Sequence, residues 1–419
     1  MTMTKTFKLF PIVYFFVVFF LSIPLSFAEV RFVHLTDPHL FEVPGKEKET
    51  SDSLVYFNHA IDQTNELEAS LNKNNHHLDF IILTGDLGIE KLIKKLPIDK
   101  VDIEKKGKFI IEENNKFFEL KKDQDKWDSS VTLVADIIAK SEIKLWLLVP
   151  GNNDLYDEMP ETVNLYGDFV NDVKELVKTK DDKFRIVDFR LEAKDKIGKF
   201  LPGTLKIGDN LFIGWDNSFF KNNYSIKRFL NKDNKPKPIE QLVEYKSLHN
   251  LSNAMKQDAK YVYIFYHIPE IDDPWRINFE IDPDDPDDNT VSKTLREAAK
   301  ISPKLTKGIY PYSAWMVPIE IRKIWENLIT DVSKSAEVKG LFAGHFHDNQ
   351  RAIYEGFGWL RDTRYRPEIL SILHVAPSIS VKNQVNFGPK DRSRGGQFVY
   401  INDVGDAKVE RLWFEDITQ

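Results

Sequence analysis

The chain of 419 residues contains no cysteine. That absence removes disulfides, zinc–thiolate sites, iron–sulfur clusters and a cysteine nucleophile together, so any metal must be held by His, Asp, Glu or Asn. Glycine (19) and proline (20) are too sparse for a collagen-like or low-complexity chain. Positive charge is also short: 58 basic residues face 65 acidic ones, a net charge of -7, which argues against a broad basic face for nucleic acid. No Gly-x-Ser-x-Gly elbow of a serine hydrolase occurs. What remains is 42% hydrophobic and 29% charged, a globular mix with ample material for a core.

A long apolar run occurs only at the N-terminus. Lys5 and Lys8 precede a run from Leu9 to Leu21, followed by Ser22, Pro24 and Ser26-Phe27-Ala28. A basic start, an apolar middle and small residues at the -3 and -1 positions predict a secretory signal peptide over residues 1–28, cut after Ala28. The predicted location is therefore exported, periplasmic or secreted. The alternative is an uncleaved anchor, but the run falls short of the ~20 residues that a span needs. After cleavage no membrane span is expected.

Beyond residue 28, short runs rich in Val, Ile, Phe and Leu predict strands at 30–36, 80–84, 145–149, 211–215, 261–266, 340–343, 369–375, 397–401 and 409–414. Runs apolar throughout fit strands buried on both faces. Leu54, Phe57, Ala60 and Ile61 share a helical face, as do Val131, Val134, Ile137 and Ile138. The strand–helix alternation predicts an α/β fold with two packed mixed sheets and helices outside. Residues 29–419 read as one domain. Charged insertions are expected near 89–126, where little periodicity appears, and near 270–320, which opens on an Asp-rich stretch lacking the ligand pattern of an EF-hand.

The chemistry-bearing residues gather at the ends of these strands, where open α/β sheets place ligands. They are Asp37-Pro38-His39, Gly85-Asp86-Leu87-Gly88, Gly151-Asn152-Asn153-Asp154, His267, and Gly344-His345-Phe346-His347. Singly, each is an ordinary turn or core histidine. Jointly, five strand ends carrying oxygen or imidazole ligands are improbable as structure alone.

This order resembles the calcineurin-like metallophosphoesterase superfamily, whose pattern is Asp-x-His, Gly-Asp-x-x, Gly-Asn-His-Asp/Glu, a lone His and Gly-His-x-His. The resemblance covers about residues 30–381 and implies a metallophosphoesterase-like sandwich. It implies that Asp37, His39, Asp86 and His347 hold one metal and that Asp86, Asn152, His267 and His345 hold a second, with Asp86 bridging. The ions would be divalent or mixed-valence, and such ligands suit Fe, Zn, Mn or Ni without choosing sharply. The implied activity is hydrolysis of a phosphoester or phosphoanhydride by in-line attack of metal-bound hydroxide. The implied partner is a phosphorylated small molecule or polymeric phosphate. Ala376-Pro377-Ser378-Ile379-Ser380 looks like a segment of secreted members, such as the acid-sphingomyelinase-like and endopolyphosphatase-like branches.

One position departs from the pattern. Asn153 stands where the family has a histidine thought to protonate the leaving group. Asn can donate a hydrogen bond but no proton near neutral pH. This predicts a substrate whose leaving group is already a stable anion, such as a pyrophosphate-type bond. His249 or His374 could supply the proton instead. Asp154 is expected to orient a ligand or cap a helix. The alternatives are a phosphodiesterase for lipid headgroups or nucleotides, and a metal-binding or scaffold protein that kept the fold and lost turnover. His34 reads as core or as support behind the ligands, Trp215-Asp216-Asn217 as strand-end packing with a pocket lining as the alternative, and the Arg- and aromatic-rich run 351–366 as a surface loop with phosphate or nucleobase binding as the alternative.

Overall fold

The computed structural model describes residues 29–41, 47–98, 110–113, 116–155, 163–191, 203–220, 231, 233, 235, 237–269, 319–331, 337–345, 350–354, 359–361, 372–379 and 394–413. The expected signal peptide, most of the 270–320 insertion, and His347 lie outside them.

In chain order the elements are β1 (Val30–Leu35), α1 (Glu47–Asn72), β2 (Phe80–Thr84), β3 (Ile93–Ile98), β4 (Ile110–Glu113), β5 (Lys116–Lys122), α2 (Gln124–Ile138), β6 (Leu145–Val149), α3 (Val163–Lys180), β7 (Arg185–Asp188), β8 (Thr204–Ile207), β9 (Asn210–Gly214), α4 (Val243–Met255), β10 (Tyr261–Phe265), α5 (Ile319–Asp331), β11 (Glu337–Ala343), β12 (Gln350–Tyr354), β13 (Trp359–Arg361), β14 (Ile372–Val375), β15 (Gly395–Ile401) and β16 (Ala407–Trp413). Short 3₁₀ turns punctuate the loops.

The strands form two large mixed sheets. The first runs β16-β15-β1-β2-β6-β7 and the second β13-β12-β14-β11-β10-β9-β8. Within the first, β1, β2, β6 and β7 are parallel, while β15 is antiparallel to β1. Within the second, β9, β10, β11 and β14 are parallel. Parallel neighbours need crossovers; α1, α2, α3, α4 and α5 lie in those of five pairs, and β12 and β13 lie in the connection between β11 and β14.

The packing explains the apolar runs. Alternate residues Phe32, Phe80, Leu147, Phe212, Phe265, Phe342 and Val399 form one buried layer between the sheets. Phe32 stacks on Phe80 at 4.8 Å and Phe265 on Phe342 at 5.0 Å, with Phe32 edge-on to Phe265 and Phe342. The other faces are covered by helices. Val33, Leu35, Ile81, Leu83, Trp146 and Leu148 meet Phe57, Ile61, Val131, Val134, Phe169 and Val173. Ile213, Ile264, Leu341 and Val375 meet Leu248, Leu251, Ile321 and Trp325. The result is helix, sheet, sheet, helix, as the α/β reading predicts, with both faces of each central strand dry.

The predicted insertion at 89–126 is not featureless. It contains a third sheet, β3-β5-β4, antiparallel throughout, and the start of α2. Lysine stems hid its period: Lys95 lies over the Phe118 ring at 4.5 Å, so a charged residue does the covering that an apolar one does elsewhere.

Candidate metal centre

The carboxyl ends of both sheets meet at one edge. The chain leaving β1 runs beside the loop after β2, joined by Asp37 N–H to Gly85 O (3.1 Å), His39 N–H to Asp86 O (2.8 Å) and Leu40 N–H to Leu87 O (3.0 Å). The loop after β6 is pressed against it. A Cβ on Gly85 would collide with the Gly151 backbone and stand 2.6 Å from His267 Nδ1; a Cβ on Gly151 would strike the Asp86 carboxylate. Only glycines let these two turns touch. Among the described non-glycine residues, positive φ occurs at Asp37 (52°), His39 (43°), Asn75 (58°), Asp86 (56°) and His345 (73°). Four of these five carry candidate ligands. Each such conformation costs about 1–3 kcal/mol and persists only where its surroundings hold it.

Two groups of side chains could hold a cation among the described residues: Asp37, His39 and Asp86, and Asp86, His267 and His345, each with ligand atoms within 4.8 Å of one another. Asp86 belongs to both. His267 Nε2 stands 3.2 Å from Asp86 Oδ2 and 3.9 Å from Asp37 Oδ1. His39 Nε2 stands 3.7 Å from Asp37 Oδ1 and 3.9 Å from Asp86 Oδ2. The His267 and His345 rings lie edge to face at 5.3 Å. Asp37, Asp86, His267 and Asn152 are buried.

His267, Asp37, Asp86 and Asn152 are held from behind. His267 Nδ1 donates to the Thr84 carbonyl at 2.8 Å, which turns Nε2 toward Asp86. The His345 N–H donates to Asp37 Oδ2 at 3.0 Å, and the Thr36 hydroxyl lies 2.6 Å from the same oxygen. Asn153 donates twice to Asp86, from its backbone to Oδ1 (2.9 Å) and from Nδ2 to Oδ2 (3.0 Å). Asn152 Nδ2 donates to Asn153 Oδ1 at 2.9 Å, so the amide oxygen of Asn152 is the atom suited to a cation.

The charges agree with a cation site. Burial alone would neutralise His267, but Asp86 and Asp37 overcome it and hold the imidazole pKa up at about 9. Burial likewise opposes charge on Asp86, yet His267 and His39 pull its carboxyl well below the usual range. A proton on His267 Nε2 would compete with a cation for that atom. Burial, then the charge of Asp86, push the Asp154 carboxyl up to about 7.

Of the predicted residues, Asp37, His39, Asp86, His267 and His345 come together, and Asn152 and Asn153 adjoin them. Asp154 sits behind. Its Oδ1 accepts N–H from Gly88 (2.9 Å) and Ile89 (3.4 Å), its Oδ2 from Gly151 (2.8 Å), a brace between two loops. His249 is exposed on α4, and His374 is buried against the Phe342 ring at 5.4 Å; neither belongs to the two groups. Sequence reasoning took Asn217 for strand-end packing and missed its hold on His267: Oδ1 accepts the N–H of His267 (3.3 Å) and Ile268 (3.1 Å) while Nδ2 donates to Ile268 O (2.7 Å). Its position just past β9 was the available signal. It also missed Ser378, whose hydroxyl donates to the Asp37 carbonyl at 2.7 Å.

The donors fit metal ions: carboxylates and imidazoles, with the Asn152 amide oxygen beside them, converge on one shared carboxylate, and His267 Nδ1 is already engaged behind. The sequence model of the family described as Metallophos: Calcineurin-like phosphoesterase matches residues 30–349. No curated protein matches the chain.

Proposed function

From a chain that belongs to the calcineurin-like phosphoesterase family, we propose a metal-dependent hydrolase with two metal sites whose preferred substrates have a stable-anion leaving group, as in a phosphoanhydride or aryl phosphate. The observation that carries the substrate preference is Asn153. The related pattern has histidine there, and the Asn153 amide is committed to Asp86 Oδ2 at 3.0 Å. It therefore fixes the shared carboxylate and gives no proton to a leaving group.

The chain's own residues divide the work. Asp86 lies between the two groups and Asn153 fixes both its oxygens. His267 presents Nε2 because Nδ1 is tied to Thr84, and Asn152 presents an amide oxygen. Cations held there, of which Fe, Zn, Mn and Ni suit the donors, supply a Lewis-acidic pair that activates water and offsets phosphoryl charge. The buried carboxylates and imidazoles are held before substrate arrives, so little reorganisation is needed. Residues 1–28 read as an export signal, and the secreted branches resembled at Ala376–Ser380 favour the same location. Intact mass of the cell-exported protein tests cleavage after Ala28.

A leaving-group series with added Mn²⁺ tests the substrate. Anhydrides and aryl esters should exceed alkyl phosphodiesters by about 10²–10⁴-fold, the worth of general acid help. Asn153→His should raise the alkyl rates relative to the anhydride rates, and the anhydride rates themselves report the loss of the amide bond to Asp86 Oδ2. Equal rates across the series would sink the anhydride preference and favour a phosphodiesterase for lipid headgroups or nucleotides. Substoichiometric metal with no hydrolysis of any aryl phosphate would instead indicate a scaffold protein.

A further inference from the structure

Behind His267 runs a line of buried polar side chains that does not touch the ligand atoms. His34 on β1 faces Gln397 on β15 in the antiparallel register, so both side chains project from the same face of the sheet. Both are buried, as is Thr84 at the end of β2. His34 Nδ1 lies 3.2 Å from Gln397 Oε1, and His34 Nε2 lies 2.7 Å from the Thr84 hydroxyl. Gln397 Nε2 donates to the Val375 carbonyl on β14 at 3.0 Å. The carbonyl of Thr84 accepts from His267 Nδ1 at 2.8 Å.

The direction of every bond follows from one end. The Gln397 amide nitrogen is directed to a carbonyl, so its oxygen faces His34 and accepts. His34 must then carry its proton on Nδ1, which leaves Nε2 as an acceptor, and the Thr84 hydroxyl donates to it. Burial holds the His34 pKa down at about 4, so the imidazole stays neutral and the order does not reverse near neutral pH. The Thr84 side chain is thereby anchored to β1, and its carbonyl, which also lies 2.6 Å from the Thr36 hydroxyl, faces His267 Nδ1.

We propose that Gln397, His34 and Thr84 form a positioning relay that sets the orientation of His267 and hence the cation affinity of the centre. The proposal deepens the metal-dependent reading and rests on it. It assigns a role to β15, which lies beyond the span matched by the family. A buried histidine needs hydrogen bonds in any core, so the relay must be separated from simple satisfaction of polar groups. The separation lies in what changes. A purely structural role lowers stability and leaves metal affinity alone, whereas partners behind a metal-binding histidine alter affinity by about 10–100-fold.

The experiment titrates Mn²⁺ into the full chain by calorimetry, with thermal melting of each variant alongside. Thr84→Val removes the hydroxyl at equal volume, Thr84→Ser keeps it, and Gln397→Met removes both amide contacts. Thr84→Val and Gln397→Met should each weaken Mn²⁺ about 10-fold, while Thr84→Ser stays close to wild type. The double variant should be no worse than the weaker single one, because one chain is broken only once. Wild-type affinity in Thr84→Val and Gln397→Met, with lower melting temperatures, overturns the relay and leaves the hydrolase reading intact. Additive losses in the double variant also overturn it. If Thr84→Val does not fold, Gln397→Met decides by the same criterion. A wild-type chain that binds no Mn²⁺ overturns the metal reading and the relay together.

Discussion

The two large sheets contribute different chemistry to the centre. The ends of β1, β2 and β6 bring both carboxylates, Asp37 and Asp86, together with His39 and the paired asparagines. The ends of β10 and β11 bring imidazoles, His267 and His345. The first set is knitted to itself, through the three backbone bonds between the β1 and β2 loops and the two donated by Asn153. The second set is tied across, by His267 Nδ1 to Thr84 O and His345 N–H to Asp37 Oδ2. Between the sheets lies an apolar layer of aromatic rings, which fixes separation more than it fixes register. The difference teaches that the first sheet places the negative charge and the second is pinned to it by a few polar contacts. Breaking a first-sheet ligand should empty the centre, whereas breaking a pin should only loosen it.

The largest effect belongs to Asp86, the one member common to both groups. Asp86→Asn keeps the volume and removes the charge. Cations held by the two groups would then lose the carboxylate common to both, and the rate should fall by at least about 10³-fold, with Mn²⁺ content of the purified protein dropping toward zero. His345→Asn touches one group only and should leave a single ion bound. Metal analysis separates the two variants. If Asp86→Asn still binds two ions, the shared carboxylate is not the hinge between the sheets.

A smaller effect concerns acid, and it tests the apolar layer rather than the ligands. His34 lies in that layer with its pKa held down at about 4 by burial, against the ordinary 6.5. A depressed pKa means stability that is present above 6.5 and lost as pH falls toward 4. The loss is about 3 kcal/mol, from roughly 1.4 kcal/mol per unit. Asp154 pulls the other way, because its carboxyl, raised to about 7, takes up a proton more readily folded than unfolded. The two slopes overlap, so a single curve does not isolate His34. His34→Gln does: urea midpoints at pH 7 and pH 4.5 should fall less in the variant than in wild type. An equal fall in both would show that His34 is not held neutral between the sheets.

Much of this was legible in the residues. Strands such as Phe80–Thr84 and Tyr261–Phe265 are wholly buried, and a strand dry on both faces writes itself as an unbroken apolar run. The ligands were legible because each strand end carries a short motif, and the glycines beside them mark where loops touch. Other features left no local trace. The β3-β5-β4 sheet is covered in part by lysine stems, so its alternation is blurred. Asn217, Ser378 and Gln397 act through bonds to residues about 50, 340 and 360 positions away, and no local spacing carries such pairings. Asp154 was read in part: its carboxylate was visible, but its three backbone partners follow only from the fold.

The smallest effect tests the pin at Ser378. Its hydroxyl donates to the Asp37 carbonyl at 2.7 Å, while the Ile379 N–H donates to the Thr36 carbonyl at 3.1 Å. These contacts come from the segment after β14, in the second sheet, and end on the loop after β1, in the first. They hold Asp37 at φ 52°, a conformation that an aspartate leaves readily when unsupported. Ser378→Ala deletes one buried bond and leaves a carbonyl without that donor, at a cost of about 1–3 kcal/mol in unfolding free energy. Asp37 keeps its carboxylate bonds from Thr36 and His345, so it should remain near the centre, and Mn²⁺ affinity should weaken by less than the 10-fold expected of the His267 relay. A larger loss than in Gln397→Met would reverse the ranking of the two pins. It would then be the placement of Asp37, more than the aim of His267, that depends on the second sheet.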